Sequence, residues 1–174
     1  MSVGYFSSMR QKLKNHALKA YDYFIFYYDV ILDGFPEEKL EEKVGEAETP
    51  LHLLKHVGGT PGWWMKQRGT RLPFSSSLNS LSEFKEVIRK QRDAFKELLE
   101  DDGQLYWLHD GEEKPKLSIP WLMIRSVNHA IHHGGMLILY RHIYGLPPLK
   151  YEDQFDWGKM VDLPGEIHYS TLTS

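Results

Sequence analysis

The chain has 174 residues and no cysteine, so its length suits one domain with a real core, and disulfides, thiolate nucleophiles and cysteine-ligated zinc are excluded. Its 21 basic and 24 acidic residues are interspersed and sum to −3, which leaves no electrostatic footprint for nucleic acid. The N-terminal segment MSVGYFSSMRQKLKN lacks the apolar region and cleavage site of a secretory signal, and no uninterrupted apolar run reaches about 18 residues. The sequence therefore reads as cytoplasmic, with no membrane partner, and any metal site in it must be built from His, Asp or Glu.

Four helical patterns follow one another, with no internal repeat. The first spans about Tyr5 to Leu32, where Phe6, Met9, Leu13, Ala17, Ala20, Phe24, Tyr28 and Ile31 recur at three- and four-residue spacing. Gly34 and Pro36 end it, and the charged segment EEKLEEKVGEAE reads as a loop. Thr49 is a good N-cap for the second helix, with Pro50 at its first position. That helix carries Leu51, Leu53, Leu54 and Val57, then Trp63, Trp64 and Met65. Between them lies GGTPG, where Pro61 predicts a kink or break. The basic cluster KQRGTR (66–71) reads as a solvated helix end, and 69–80 as a long connection.

Ser80 and Glu83 have the spacing of a capping box for the third helix, which buries Phe84, Ile88, Phe95, Leu98 and Leu99 and ends near Gly103. In LYWLHDGEEKPKLSI, Asp110-Gly111 suits a small hairpin turn between two short extended arms. Ser118 caps the fourth helix, Pro120 lies in its first turn, and Gly145, Pro147 and Pro148 stop it after about Tyr144. The tail, about 149–174, has no period. Four amphipathic helices with little strand signal make an all-α, four-helix bundle, one domain over 1–174.

The chemistry concentrates in SVNHAIHHGGM (126–136), which holds three of the nine histidines. At 100° per residue, His129 and His133 fall within about 20° of Leu122 and Tyr140, one turn apart on one face. Two imidazoles so placed can serve one ion. They can equally be neutral imidazoles satisfied by ordinary hydrogen bonds. A metal needs a third ligand, and His56 on the second helix is the best candidate, with His52 one turn earlier. His132 lies off the ligand face, His142 points away, and His16, His109 and His168 have no partner pattern. The other face of the fourth helix carries Ile124, Val127, Ile131 and Ile138, so that helix is central or packs on a second subunit. There is no HExxH, no phosphate loop and no GxSxG elbow.

TPLHLLKHV (49–57) before an aromatic helix segment, and NHAIHHGGMLILYRHIYGLPP (128–148), resemble the DinB/YfiT-like superfamily of metal-dependent enzymes. The resemblance spans the chain in element order. It implies an up-down-down-up bundle, a divalent metal (zinc or nickel) on His56, His129 and His133, and a homodimer. The family pattern often continues Arg-Gly-Gln after the last histidine; this chain has Gly134, Gly135 and Met136. GGTPG after His56 is also atypical and widens the space above the metal into a pocket of Trp63, Trp64, Met136 and Tyr140. Asn128, His132 and His52 are candidates for orienting the ligands, and Glu112 or Glu113 for approaching from the loop. The resemblance implies an enzyme acting on a small molecule, S-transferase-like with a low-molecular-weight thiol, or hydrolase-like. The alternative is a non-catalytic, stress-related binding or interaction protein with a vestigial or structural metal site.

Overall fold

A computed structural model describes residues 3–66, 71–73, 78–100, 104–105, 108–109, 112–113 and 117–149. Four helices dominate: α1 (Val3–Ile31), α2 (Pro50–Lys66), α3 (Leu81–Glu100) and α4 (Ile119–Ile143). A 3-10 turn, Glu37–Lys39, lies between α1 and α2. Between α3 and α4 two nested antiparallel pairs form: β1 (Gln104–Leu105) with β4 (Leu117–Ser118), and β2 (Leu108–His109) with β3 (Glu112–Glu113). The inner pairing, His109 opposite Glu112, brackets Asp110-Gly111 as a hairpin requires. The turn itself, most of KQRGTR, parts of the 69–80 connection, Gly103 and the tail from residue 150 lie outside the described residues.

The caps explain where the helices start. Thr49 Oγ1 accepts from His52 N at 3.1 Å, and Ser118 Oγ from Trp121 N at 3.3 Å. Ser80 Oγ accepts from Glu83 N at 3.1 Å, while the Glu83 carboxylate reaches back to Asn79 N, one residue before the usual capping-box partner. The C-terminal stop is also as expected: Gly145 takes a φ of 71°, the left-handed conformation that glycine adopts without strain.

Each of α4 and α3 packs against both α1 and α2, and the core lies between them. Ala17, Phe24, Tyr28 and Ile31 of the expected α1 stripe are buried, as are Phe84, Ile88, Phe95 and Leu99 of α3. The stripe is wider than its periodicity shows, because Tyr21 and Tyr27 are buried too, while Leu13 is 45% exposed. Leu98 is only partly buried.

Of the kink or break expected at GGTPG, the break does not occur: α2 continues through a buried Pro61. Proline removes one donor from the ladder, and side-chain bonds from within α2 and from α3 hold the turn around it. The Thr60 hydroxyl donates to His56 O at 2.8 Å, and Gln91 Nε2 donates to Gly58 O at 2.7 Å. Gln91 is completely buried, donates also to Pro73 O at 2.7 Å, and accepts from the Tyr21 hydroxyl at 3.1 Å. One side chain thus ties α1, α2, α3 and the 71–73 segment, with its polar atoms satisfied.

Helix α4 is fixed against α1 by shape and by hydrogen bonds. A Cβ on Gly134 would fall on Cε1 of the Tyr27 ring and lie 2.8 Å from its hydroxyl. The adjacent Tyr28 hydroxyl donates to Ala130 O at 2.8 Å. At the far end the buried Arg141 donates to Ile31 O at 3.1 Å and Asp33 O at 2.5 Å, carbonyls at the end of α1. Burial holds this guanidinium below its usual pKa, against the attraction of Asp33. The expected apolar second face of α4 is only partly covered. Val127 is buried, Ile124, Ile131 and Ile138 are half-buried, and Leu139 and Ile143 are exposed.

Two neighbouring glycines should therefore respond oppositely. Gly134→Ala forces the Tyr27 ring aside and should cost about 1–3 kcal/mol. Gly135 has nothing within 4 Å of a built Cβ, so Gly135→Ala should gain about 0.5–1 kcal/mol from helix propensity. Urea unfolding midpoints of the two variants check both signs. Gln91→Leu strands Gly58 O, Pro73 O and the Tyr21 hydroxyl, and should lower stability by about 2 kcal/mol or more in the same assay.

Candidate metal centre

α2 and α4 pack together and bring His56 to the pair on α4. His129 Nε2 lies 3.0 Å from His56 Nε2 and 3.1 Å from His133 Nε2. The candidate ligand atoms all fall within 4.8 Å of one another. Ring planes are inclined by 60–82°, so the three rings present edges rather than faces to a common point.

Hydrogen bonding alone does not satisfy this arrangement. A ring nitrogen has one in-plane position, holding either a proton or a lone pair. His129 Nε2 has a single proton or lone pair to share between its two neighbours, so at most one of the two contacts is well directed. A divalent cation accepts the lone pairs of all three. With metal–nitrogen bonds of about 2.0–2.1 Å, nitrogens 3.0–3.1 Å apart subtend roughly 95°. That angle suits ligands grouped on one side of an ion. The donor set, three imidazoles on rigid helices, fits a divalent transition metal.

The electrostatics keep the ligands available. Burial, then the neighbouring His133 and His56 imidazoles and the Arg125 guanidinium, push His129 down to about 4. Burial, then His56 and His132, hold His133 below the ordinary histidine value. Neutral imidazole is the form that binds metal. With Nε2 turned to the common point, the proton sits on Nδ1. The Nδ1 atoms of His129 and His133 are buried and make no hydrogen bond, as is Ser126 Oγ one turn earlier. These Nδ1 positions are the ones through which metal-binding histidines are commonly oriented.

The three expected ligands are thus brought together, and the residues expected around them divide. Trp63 and Trp64 line a cavity of about 500 Å³ with Lys55, His56, Gly59, Thr60, Arg125 and His129. Met136 and Tyr140, expected beside them, are not among the residues lining this cavity. Tyr140 is buried and its hydroxyl donates to Glu48 O at 2.6 Å, because the ring lies far enough along α4 to reach the start of α2 instead. His52 is exposed and sits 3.7 Å from Glu48 Oε2, turned to its own helix end rather than to the ligands. Asn128 is exposed. His132 is exposed and touches the site only through its ring edge against His133, with centroids 5.1 Å apart. Glu112 and Glu113 are taken up in β3.

Lys55 and Arg125 are the residues that sequence reasoning missed. The signal was available: Lys55 immediately precedes His56, and Arg125 lies one turn before His129. No protein-family model matches the sequence, and no curated protein is significantly similar to it.

The depressed pKa of His129 gives a signed prediction for metal-free protein. The unfolded chain takes up a proton near pH 6.5, while folded His129 takes it up only near 4. Its contribution to stability is full above about 6.5 and is lost as pH falls toward 4. Chelator-treated wild type should therefore lose more stability between pH 7 and 4.5 than His129→Gln. Equal losses in parallel urea titrations would show that His129 is not held neutral.

Proposed function

We propose that this chain is a metal-dependent enzyme of the DinB/YfiT-like type, using His56, His129 and His133 to hold zinc or nickel and acting on a small molecule. The observation that carries the reading is the meeting of three imidazole edges from two helices, with His56 and His129 in the wall of a cavity about 500 Å³ in volume. Structural metal sites tend to be closed by a fourth protein ligand. Among the described residues no other His, Asp or Glu joins this group, so positions remain for a substrate. The cavity volume lies in the range of small-molecule sites.

A divalent metal here would supply Lewis acidity and favour the deprotonated form of a bound water or thiol. The chain's own groups set the conditions. Burial and adjacent cationic groups keep His129 neutral, α2 and α4 fix the ligand spacing, and Trp63 and Trp64 supply an apolar wall. No carboxylate is among the cavity-lining residues. An attacking group whose proton is lost on metal binding therefore suits the site better than one needing a side-chain base. Thiol transfer, in which a thiolate attacks an electrophile and expels its leaving group, meets that condition, as does hydrolysis by metal-bound hydroxide. Up-down-down-up connectivity and a homodimer belong to the same reading. The exposed Leu139 and Ile143 on α4 support the second of these.

The test pairs glutathione or bacillithiol with an alkylating electrophile on zinc- or nickel-loaded protein. Metal-dependent consumption of thiol should fall about a hundredfold or more in His133→Ala, with the helical circular dichroism unchanged. Undiminished turnover in that variant defeats the proposal. Absence of turnover with every thiol, on protein shown to be loaded, favours the non-catalytic binding protein.

A further inference from the structure

The cavity beside the histidines has a charge pattern that the metal site does not require. Its wall holds two cationic side chains, Lys55 and Arg125, and no acidic one. Both are placed by the ligands' own helices, Lys55 next to His56 on α2 and Arg125 four residues before His129 on α4. Lys55 is held from outside the cavity by Asn79, whose Oδ1 accepts from Nζ at 3.4 Å. Among the described residues no carboxylate pairs with Arg125, whereas Arg89 and Arg92 on α3 are engaged by Asp29 and Asp22. Arg125 helps hold His129 neutral, but two like charges also repel a divalent cation beside them, and Lys55 has no part in metal binding that accounts for it.

The rest of the wall is aromatic. Along α2, His56, Gly59, Thr60 and Trp63 share one face. Gly59 has no side chain and the Thr60 hydroxyl is turned back to His56 O, so the space between the imidazole and the indole stays open. Trp63 is 51% exposed, and its ring meets Trp64 edge to face with centroids 5.1 Å apart. Trp64 in turn meets Trp121 from the start of α4 at 5.9 Å. A half-exposed indole at the mouth of a cavity offers a flat apolar surface to a ligand.

We propose that the cavity takes a small carboxylate with a flat apolar body, its anionic end between Lys55 and Arg125 and its body against Trp63 and Trp64. The assignment rests on the proposed small-molecule site and specifies its substrate class. A guanidinium matches a carboxylate through paired N–H donors, and the ammonium adds a second point charge. One cation from each ligand helix would fix the anion relative to the histidines, leaving the remainder of the molecule to reach the metal.

Phenylacetate and its uncharged analogue phenylacetamide are the probes, measured by calorimetry on zinc-loaded and on chelator-treated protein. Phenylacetate should bind about tenfold more tightly than phenylacetamide in both forms, and the preference should shrink with added sodium chloride. Lys55→Gln and Arg125→Gln, both at positions outside the core, should each remove about five- to tenfold of phenylacetate affinity and leave phenylacetamide unchanged. Trp63→Leu should weaken both probes alike. Survival of the preference in the metal-free form separates this proposal from the metal reading, because the cations remain when the metal is gone. A preference seen only in zinc-loaded protein and indifferent to Lys55→Gln and Arg125→Gln would overturn it, since the carboxylate would then be sitting on the metal. Equal affinity for the two probes in both forms would overturn it as well.

Discussion

The contact between Gly134 and Tyr27 sets the position of α4, and the meeting of the three histidines depends on that position. Where a Cβ would stand on α4, the Tyr27 ring of α1 stands instead. The next residue, Tyr28, donates to Ala130 O. These two contacts flank His133 and adjoin His129, so they fix the rotation and height of the turn that carries both imidazoles. Arg141 ties the other end of α4 to the last carbonyl of α1 and to that of Asp33 just beyond it. Two of the three ligands are thus held by an interface they do not share, and only His56 has to be delivered by α2.

This packing also gives a physical reason for the glycine at position 134. No side chain fits at Gly134 while Tyr27 is where it is. The cationic groups beside the histidines are Arg125, one turn before His129 on α4, and Lys55 on α2. Burial is the largest influence holding His129 and His133 below the ordinary histidine value, and the neighbouring cationic groups act in the same direction.

Much of the fold was legible because it is written in local patterns. Thr49, Ser80 and Ser118 cap the helices they were expected to cap, and Gly145 ends α4 with a positive φ. His129 and His133 share a face by helical geometry alone. What was not legible depends on which helix meets which. Gln91 is polar and looks like a surface residue within α3; only the meeting of Tyr21, Gly58 and Pro73 around it makes it a core residue. Pro61 is a helix breaker by its own chemistry, and the turn before it is held in part by Gln91, a residue distant in sequence. Tyr140 shares a stripe with the ligands but lies three helical turns beyond His129, so it reaches Glu48 rather than the cavity. Lys55 and Arg125 face the cavity only because α2 and α4 cross at their histidines.

The central claim is that three imidazoles hold one divalent ion, and it is tested most directly by the metal content of untagged protein. Elemental analysis by plasma mass spectrometry, after incubation with zinc or nickel and removal of excess, should find close to one metal per chain in wild type and almost none in His129→Ala of equal helicity. No retained metal in wild type, or full retention in the variant, would contradict the claim and leave the histidine cluster as part of the packing between α2 and α4.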